Sequence, residues 1–402
     1  MKDPQRPVRL FENIHWVGAL NPELKRFDVV METKYGTSYN SYLVQGRQKT
    51  ALIDTVKRGF FDKSARLIRQ LTDFKDIDYI VMQHTEPDHS GSIAELAALA
   101  PNARILCGKP ASLYLPRIAN RDLNITVIKD GDTLDLGGRT LTFIGAPFLH
   151  WPDTMFTYDD VSGALFTCDA FGCHYAAENI LESKTDETFK EARRYYYDCI
   201  VAPFAPHVIK AIEHVNELHL EKISAVLPSH GPALDQDPLG AIALYHEWAR
   251  EMGPTSGRGV FIGYVSCYGY TRLMAEKLRD CLAQAGAEVD MADFTDITVE
   301  EAVRRIHRAD VLAIGCPTVN ADALPPVWEA LAHSSVPLIR GRGAVVFGSY
   351  GWSGEAVPML EQRLAGLSCK VLGSVKARFL PDEAALDEVA ALAGKVAAAL
   401  RL

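Results

Sequence analysis

Four residues able to bind a metal ion fall within six positions in the segment QHTEPDHSG: His84, Glu86, Asp88 and His89. The segment follows the apolar run DYIVM, so it is expected to be a loop at the C-terminal end of a buried strand, where several donors can be aimed at one point. On an extended stretch alternate side chains share a face, so His84, Glu86 and Asp88 can converge while Thr85 and Pro87 point away. Further donors stand at the polar ends of apolar runs: His150 in FLHWPD, Asp169 in FTCDAFG and His230 in LPSHGP. Histidines and carboxylates in this number suit two transition ions that keep open positions for a small substrate, with a carboxylate bridging the pair. Each residue alone is better explained as a loop or cap residue, because Asp, His and Gly punctuate strand ends. Their order and setting as a group point to a dinuclear site.

A second constellation lies in the other half of the chain. VSCYGYT, with Ser266, Cys267, Tyr268, Gly269, Tyr270 and Thr271, separates an apolar run from a helical segment, where backbone amides and a helix N-terminus can hold a phosphate. GCPTVNADALP, with Pro317, Thr318 and Asn320, and FGSYGWSGEA, with Ser349, Tyr350, Gly351, Trp352 and Gly354, each follow a later apolar run. Glycines there let backbone approach a flat ring, and Tyr350 or Trp352 could stack on it. Taken singly, such a loop is as readily a tight turn beside a buried aromatic residue.

The elements that must position these groups differ between the halves. From about Phe27, FDVVME, SYNSYLVQG and KTALIDTV are short β-branched or aromatic runs of the kind that form hairpins. Helical segments are expected at 63–71, 93–100 and, as one long stretch, at about 186–219. Strand signals return in ARILCG, ITVIKDG, RTLTFIGAP, MFTYDD and LFTCD. EMGPTSGR, at 251–258, is rich in Gly, Pro, Ser and Thr and marks a domain boundary. Beyond it five strand-like runs alternate with five helical ones, the pattern of a doubly wound parallel sheet.

HTEPDH followed in order by His150, Asp169 and His230 resembles the metallo-β-lactamase-like fold. In the zinc hydrolases of that superfamily the first motif reads HxHxDH. Here Glu86 replaces the second histidine, giving HxExDH as in the flavodiiron proteins. A carboxylate in place of an imidazole hardens the site and adds negative charge, which favours a redox-cycling non-haem di-iron centre over zinc. The resemblance implies that His84, Glu86 and His150 hold one iron, Asp88 and His230 the other, and that Asp169 bridges them. It implies His89 standing behind the ligands and Tyr196, of the run Tyr195 to Tyr197, as a proton or hydrogen-bond donor. VSCYGYT resembles the flavodoxin phosphate loop, with Tyr268 where a hydroxyl residue is usual, so Ser266, Thr271 and the loop amides would do most of the holding. The two later loops would then surround the isoalloxazine ring of FMN.

Together these features give an α/β architecture: an N-terminal metallo-β-lactamase-like αββα sandwich over 1–252 and a C-terminal flavodoxin-like doubly wound parallel sheet over 259–402. The whole chain is similar to the two-domain class of flavodiiron proteins, with no rubredoxin or flavin-reductase extension expected. That resemblance implies an oxidoreductase reducing O2 to water and/or NO to N2O at two non-haem irons. Electrons would pass through FMN from a rubredoxin-like donor, and a head-to-tail homodimer would bring one subunit's flavin to the other's irons. The competing readings are a zinc hydrolase with a flavodoxin-like accessory domain, which Glu86 disfavours, and an electron carrier with a structural metal. A net charge of −9 without a basic run argues against nucleic acid as a partner. The eight cysteines form no CxxC pair and read as reduced thiols. The N-terminus shows no secretory signal, and no apolar run reaches the roughly 18 residues of a membrane span. A cytoplasmic location is expected.

Overall fold

In the computed structural model, residues 4–28, 31–220, 222–251 and 256–402 are described. Residues 252–255 of the expected boundary segment, Val29 and Val30 of FDVVME, and the first three residues of the expected 1–252 domain lie outside them. The chain divides into two compact units, Met1–Glu251 and Met252–Leu402.

The first unit is built on two sheets. One has seven strands, in the order Val8–Phe11, Ile14–Trp16, Tyr42–Gln45, Thr50–Ile53, Tyr79–Met82, Arg104–Cys107, Ile125–Val127. Its first four strands pair antiparallel and its last four run parallel. The other sheet orders Thr133–Asp135, Thr140–Gly145, Met155–Asp159, Ala164–Cys168 and Ala225–Pro228. Apolar side chains of both sheets, with Ala65, Leu96, Ala111 and Leu115 of three helices, form one core. All five residues of Met155–Asp159 and of Ala164–Cys168 are buried. A strand covered on both faces needs a mostly apolar run rather than an alternating one; ALFTC supplies it, and Met155, Phe156 and Tyr158 supply most of MFTYD, in which Thr157 and Asp159 are buried polar residues.

This topology gathers chain ends at one edge. Ala164–Cys168 and Ala225–Pro228 are parallel neighbours and finish side by side. Met155–Asp159 pairs antiparallel with Ala164–Cys168, Thr157 opposite Phe166, so its start lies beside the finish of its neighbour. The Met155 N–H donates to the Gln83 carbonyl at 3.0 Å, fastening that edge to the end of Tyr79–Met82 in the other sheet.

Two sequence expectations change here. The helix expected at 186–219 is not continuous: Thr188–Tyr196 gives way to a wider turn over Tyr197–Val201 and a tight turn over Ala202–Phe204 before Ala205–Glu217 resumes. Pro203 and Pro206 each remove a backbone donor, so the regular ladder cannot run through them. The segment after His84 is not extended throughout either, because Pro87–Ser90 forms a helical turn with Pro87 at its start. Asp88 is therefore turned away from the face shared by His84 and Glu86.

The second unit is a five-stranded, wholly parallel sheet in the order Glu288–Asp293, Gly259–Tyr264, Val311–Gly315, Gly343–Tyr350, Lys370–Arg378. Along Gly259–Tyr264, Val260 and Ile262 join a cluster with Met274, Leu278, Val389 and Val396, whereas Phe261 joins one with Ile306, Val327 and Leu360. Period-two alternation thus feeds two cores, one on each face of the sheet, and helices cover both. Among the described residues no helix is long and apolar enough to cross a membrane.

Candidate metal centre and flavin loops

All six expected metal ligands lie at the gathered edge of the first unit, and they fall into two groups. His84 Nε2 is 3.4 Å from Glu86 Oε2 and 3.4 Å from Asp169 Oδ2, and His150 Nε2 is 3.0 Å and 3.3 Å from the same two oxygens. In the second group His230 Nε2 is 3.1 Å from Asp88 Oδ2, and His89 Nε2 is 3.3 Å from Asp88 Oδ1. Asp169 Oδ1 is 3.0 Å from His89 Nε2 and 3.6 Å from His230 Nε2. One carboxylate thus presents one oxygen to each group. His89, expected behind the ligands, has its Nε2 in the same set of atoms as Asp88 and His230.

Apart from the 3.4 Å contact of His84 Nε2 with Glu86 Oε2, these atoms are close without being satisfied as hydrogen bonds. Both oxygens of Asp88 and of Asp169 and both ring nitrogens of His89 are buried without a hydrogen-bond partner. Buried polar atoms are almost always paired, so several orphans within a few ångströms need an explanation. Lone pairs that converge on a common point give short distances without donor-to-acceptor alignment, which is the arrangement a cation requires. The donor set therefore fits two metal ions.

Elements behind the ligands fix their orientation. His230 Nδ1 donates to the Ser38 carbonyl at 2.7 Å, which leaves Nε2 bare toward Asp88. Asn40 donates from its side-chain amide to the carbonyls of Pro228 and Gly231, holding the strand end on either side of His230. Asp153 Oδ1 lies 3.2 Å from His84 Nδ1. The Thr37 hydroxyl is 2.9 Å from Nδ1 of His174, whose Nε2 is buried and unpaired.

Without metal the cluster is strongly polarised. Burial alone would push His84 down, but hydrogen bonds to Asp153 and Glu86 and the charges of Asp169 and Asp153 raise it to about 10. His150 is likewise pulled down by burial yet raised to about 10 by Asp169 and Glu86. His89 reaches about 9, burial being outweighed by Asp88 and Asp169. Burial would raise Asp169, but His89 and His150 hold it well below the usual carboxylate range. The three raised histidines sit among the carboxylates of Glu86, Asp88, Asp153 and Asp169, and each sign stabilises the other.

Of the three consecutive tyrosines, Tyr196 is buried with its ring against His174 (centroids 5.0 Å apart) and His230 (6.2 Å). Burial pushes its hydroxyl well above its ordinary value. Tyr197 packs instead on Tyr245 and Trp248, and Tyr195 is exposed. Cys168 beside Asp169 is a buried thiol raised far up by desolvation, a packing group rather than a nucleophile.

In the second unit the three loops expected to hold a flavin stand at the C-terminal ends of neighbouring strands. Gly269, at φ +83° with open space where a Cβ would be, opens the helix Tyr270–Gln284. Ser266 Oγ accepts from the Arg272 N–H at 3.2 Å. The buried Thr271 hydroxyl lies 2.9 Å from Ser349 Oγ, and the Thr318 N–H donates to the Ser349 carbonyl at 3.1 Å, so Ser349 ties the three loops together. A Cβ on Gly348 would meet the Cys316 carbonyl oxygen at 2.0 Å, so only glycine lets the second and third loops lie this close. Tyr268 and Trp352 are 85% and 89% exposed, leaving large aromatic faces on the rim. Cys267, Asn320 and Gly351 line that rim, Pro317 is buried beneath it and Gly354 backs onto the Tyr350 ring. This edge fits a phosphate at the first loop and a flat ring between the others.

Sequence reasoning missed several residues. Asp153 stood in view in HWPD, and His174 in FGCHY. Thr37 and Ser38 carry no chemical cue, since only the folded sheet brings the N-terminal hairpin to His230. Phe379 follows the last strand and abuts Gly351; nothing in its surroundings marks it as part of a site.

An αββα unit with a buried dinuclear donor set, joined to a doubly wound unit with a flavodoxin-type loop edge, defines a class of metal- and flavin-dependent redox proteins. The beta-lactamase family described as ODP matches residues 37–231, and the flavodoxin family matches 262–392. The chain is 38% identical over 389 residues to flavo-diiron protein FprA2 of Clostridium acetobutylicum, covering 94% of this chain and 95% of that relative. It is 34% identical over 371 residues to the nitric oxide reductase of Moorella thermoacetica, covering 91% and 92%. Among solved structures, rubredoxin oxygen:oxidoreductase from Desulfovibrio gigas superposes with a TM-score of 0.72 at 30% identity over 98% of each chain. The flavodiiron protein from Giardia intestinalis gives 0.70 at 27% identity over 100% and 99%. The chain belongs to the flavodiiron, or type A flavoprotein, family.

Proposed function

We propose that this protein is an oxidoreductase that reduces O2 to water and/or NO to N2O at a non-haem di-iron centre, with electrons delivered through FMN. The observation that carries the reading is the buried donor set in which Asp169 turns one oxygen to each of two groups and a carboxylate, Glu86, stands where a zinc site would have a third imidazole. When bound, the two irons supply stored electrons and open coordination positions, and FMN supplies electrons to them.

The chain's own residues do the rest. His84, Glu86 and His150 hold one ion; Asp88 and His230, with the adjacent His89, hold the other; Asp169 spans both. Three anionic side chains balance much of the charge of two cations in a buried site. Tyr196, with its hydroxyl kept protonated by burial, is a hydrogen-bond donor near the second group. Ser266, Thr271 and the amides of the first loop receive the flavin phosphate, while Tyr350 or Trp352 covers the ring.

The exposed aromatic rim around Tyr268 and Trp352 supports a head-to-tail homodimer, in which this face of one subunit meets the metal unit of the other. A small rubredoxin-like protein serves as donor, and the cytoplasm as location. Relatives named nitric oxide reductase and rubredoxin oxygen:oxidoreductase support both gases as substrates.

The test is anaerobic reduction of the purified protein followed by O2 and NO electrode measurements with a reduced rubredoxin. Consumption of either gas coupled to donor oxidation supports the reading. Loss of neither gas, together with hydrolysis of an ester or lactam substrate, would support the zinc hydrolase instead.

A further inference from the structure

Behind the first metal group lies a buried carboxylate that is not among the metal ligands of the reading above. Asp153 is buried; its Oδ1 is 3.2 Å from His84 Nδ1, and its Oδ2 accepts from the Thr85 N–H at 2.8 Å and from the Thr85 hydroxyl at 2.6 Å. It also lines a cavity of about 140 Å³ with Pro110, Phe143, Pro152 and Met155.

We propose that Asp153 is the positioning residue of the first metal group: it keeps the His84 proton on Nδ1, aims Nε2 at the space shared with Glu86 and Asp169, and strengthens that nitrogen as a donor. A histidine that binds a cation through Nε2 must carry its proton on Nδ1, and the acceptor at that position is this carboxylate. Two donors from one residue pin the opposite oxygen, so Asp153 cannot swing away from the imidazole. Thr85 follows His84 directly, so the turn that aims the ligand also carries the groups that lock its partner. Asp153 is three residues after His150, and the bond therefore clamps the 84–86 loop to the 150–153 loop. Those two loops supply every side chain of the first group except Asp169. A neutral acceptor would give the tautomer alone; a buried anion also adds electron density to the ring and lowers the potential of an ion bound to it.

The inference rests on the two-iron reading, and its test separates the two. Wild type, Asp153→Asn and Thr85→Val are each freed of metal and titrated anaerobically with ferrous iron against a chelator. Their flavin content, metal-free melting and the midpoint potential of the EPR-active mixed-valent state are then measured. Wild type is expected to take two irons per chain. Asp153→Asn should bind one of the two about 10–100-fold more weakly and titrate at a higher potential, with FMN content unchanged. Thr85→Val leaves the carboxylate with one donor fewer, so more of its charge faces His84; iron content should hold and the potential should move the opposite way. If wild type takes up no iron, the two-iron reading falls and the inference with it. If wild type takes two and Asp153→Asn matches it in affinity and potential, or both variants shift the potential in the same direction, Asp153 does not position His84. Should Asp153→Asn fail to fold, an unchanged potential in Thr85→Val overturns the proposal by itself.

Discussion

Asp169 has the most demanding position of any single residue, because its two oxygens face different groups of donors and neither is hydrogen-bonded. Asp169→Asn keeps the shape but removes the charge and one of the two acceptors. It is expected to reduce bound iron from two per chain to one or fewer and to abolish gas reduction while FMN stays bound; retained turnover would remove the bridging role. Protonation gives a second expectation. In the metal-free protein His84 and His150 lie at about 10 and His89 at about 9, all above the ordinary 6.5, so the stability they contribute is fully present below 6.5 and lost as pH climbs through 9 to 10. Glu86, Asp88 and Asp169 are lowered, so their contribution is present above their ordinary values near 4 and lost as pH falls below them. Asp54, raised to about 6 by burial, loses its contribution as pH rises through that value. Melting of the metal-free protein should therefore be highest near pH 5 and decline on both sides. Iron must displace the histidine protons, so chelator competition should show affinity rising with pH, with protons released on binding. At this scale the ligands were legible because their types are costly to bury and stood together at strand ends. Asp153, though it stood beside His150 in HWPD, and Ser38 were not assigned, since an ordinary Asp and a backbone carbonyl become part of the site only through contacts made by the fold.

Elements decide which of these side chains meet. HTEPDH reads as an extended loop by alternation, yet Pro87 starts a helical turn that sends Asp88 to the second group and leaves His84 and Glu86 in the first. Short β-branched and apolar runs exposed the strands of both units, and the Gly-rich strand ends exposed the flavin loops, because these signals are local. The break at Tyr197–Phe204 was less visible: apolar periodicity continues across it, and only Pro203 and Pro206 mark the interruption. The loop edge of the second unit yields its own test. Thr271 and Ser266 tie the first loop to Ser349 and to the start of the following helix. Their joint replacement by alanine removes hydrogen bonds worth about 1 kcal/mol each, so FMN affinity measured by fluorescence titration should fall roughly tenfold or more while iron content holds. Simultaneous loss of both cofactors would mean that the substitutions unfolded the chain rather than altered the flavin site.

The two units each carry half of a redox chain, with the donor cluster in one and the ring-binding edge in the other. Their separation was legible from the change between hairpin-rich and strictly alternating patterns. How copies associate was not, because a patch such as Tyr268 with Trp352 has no partner in a single sequence. Dilution tests that level: turnover per chain should fall as sedimentation shows dimers giving way to monomers, and a monomer with full activity would contradict the head-to-tail arrangement. The central claim, that one chain joins a di-iron site to a flavin, is tested most directly by the iron, zinc and FMN content of protein from iron-replete cells, taken with its visible spectrum. The account predicts close to two irons and one FMN per chain and a flavin absorption band; two zincs without flavin would contradict it.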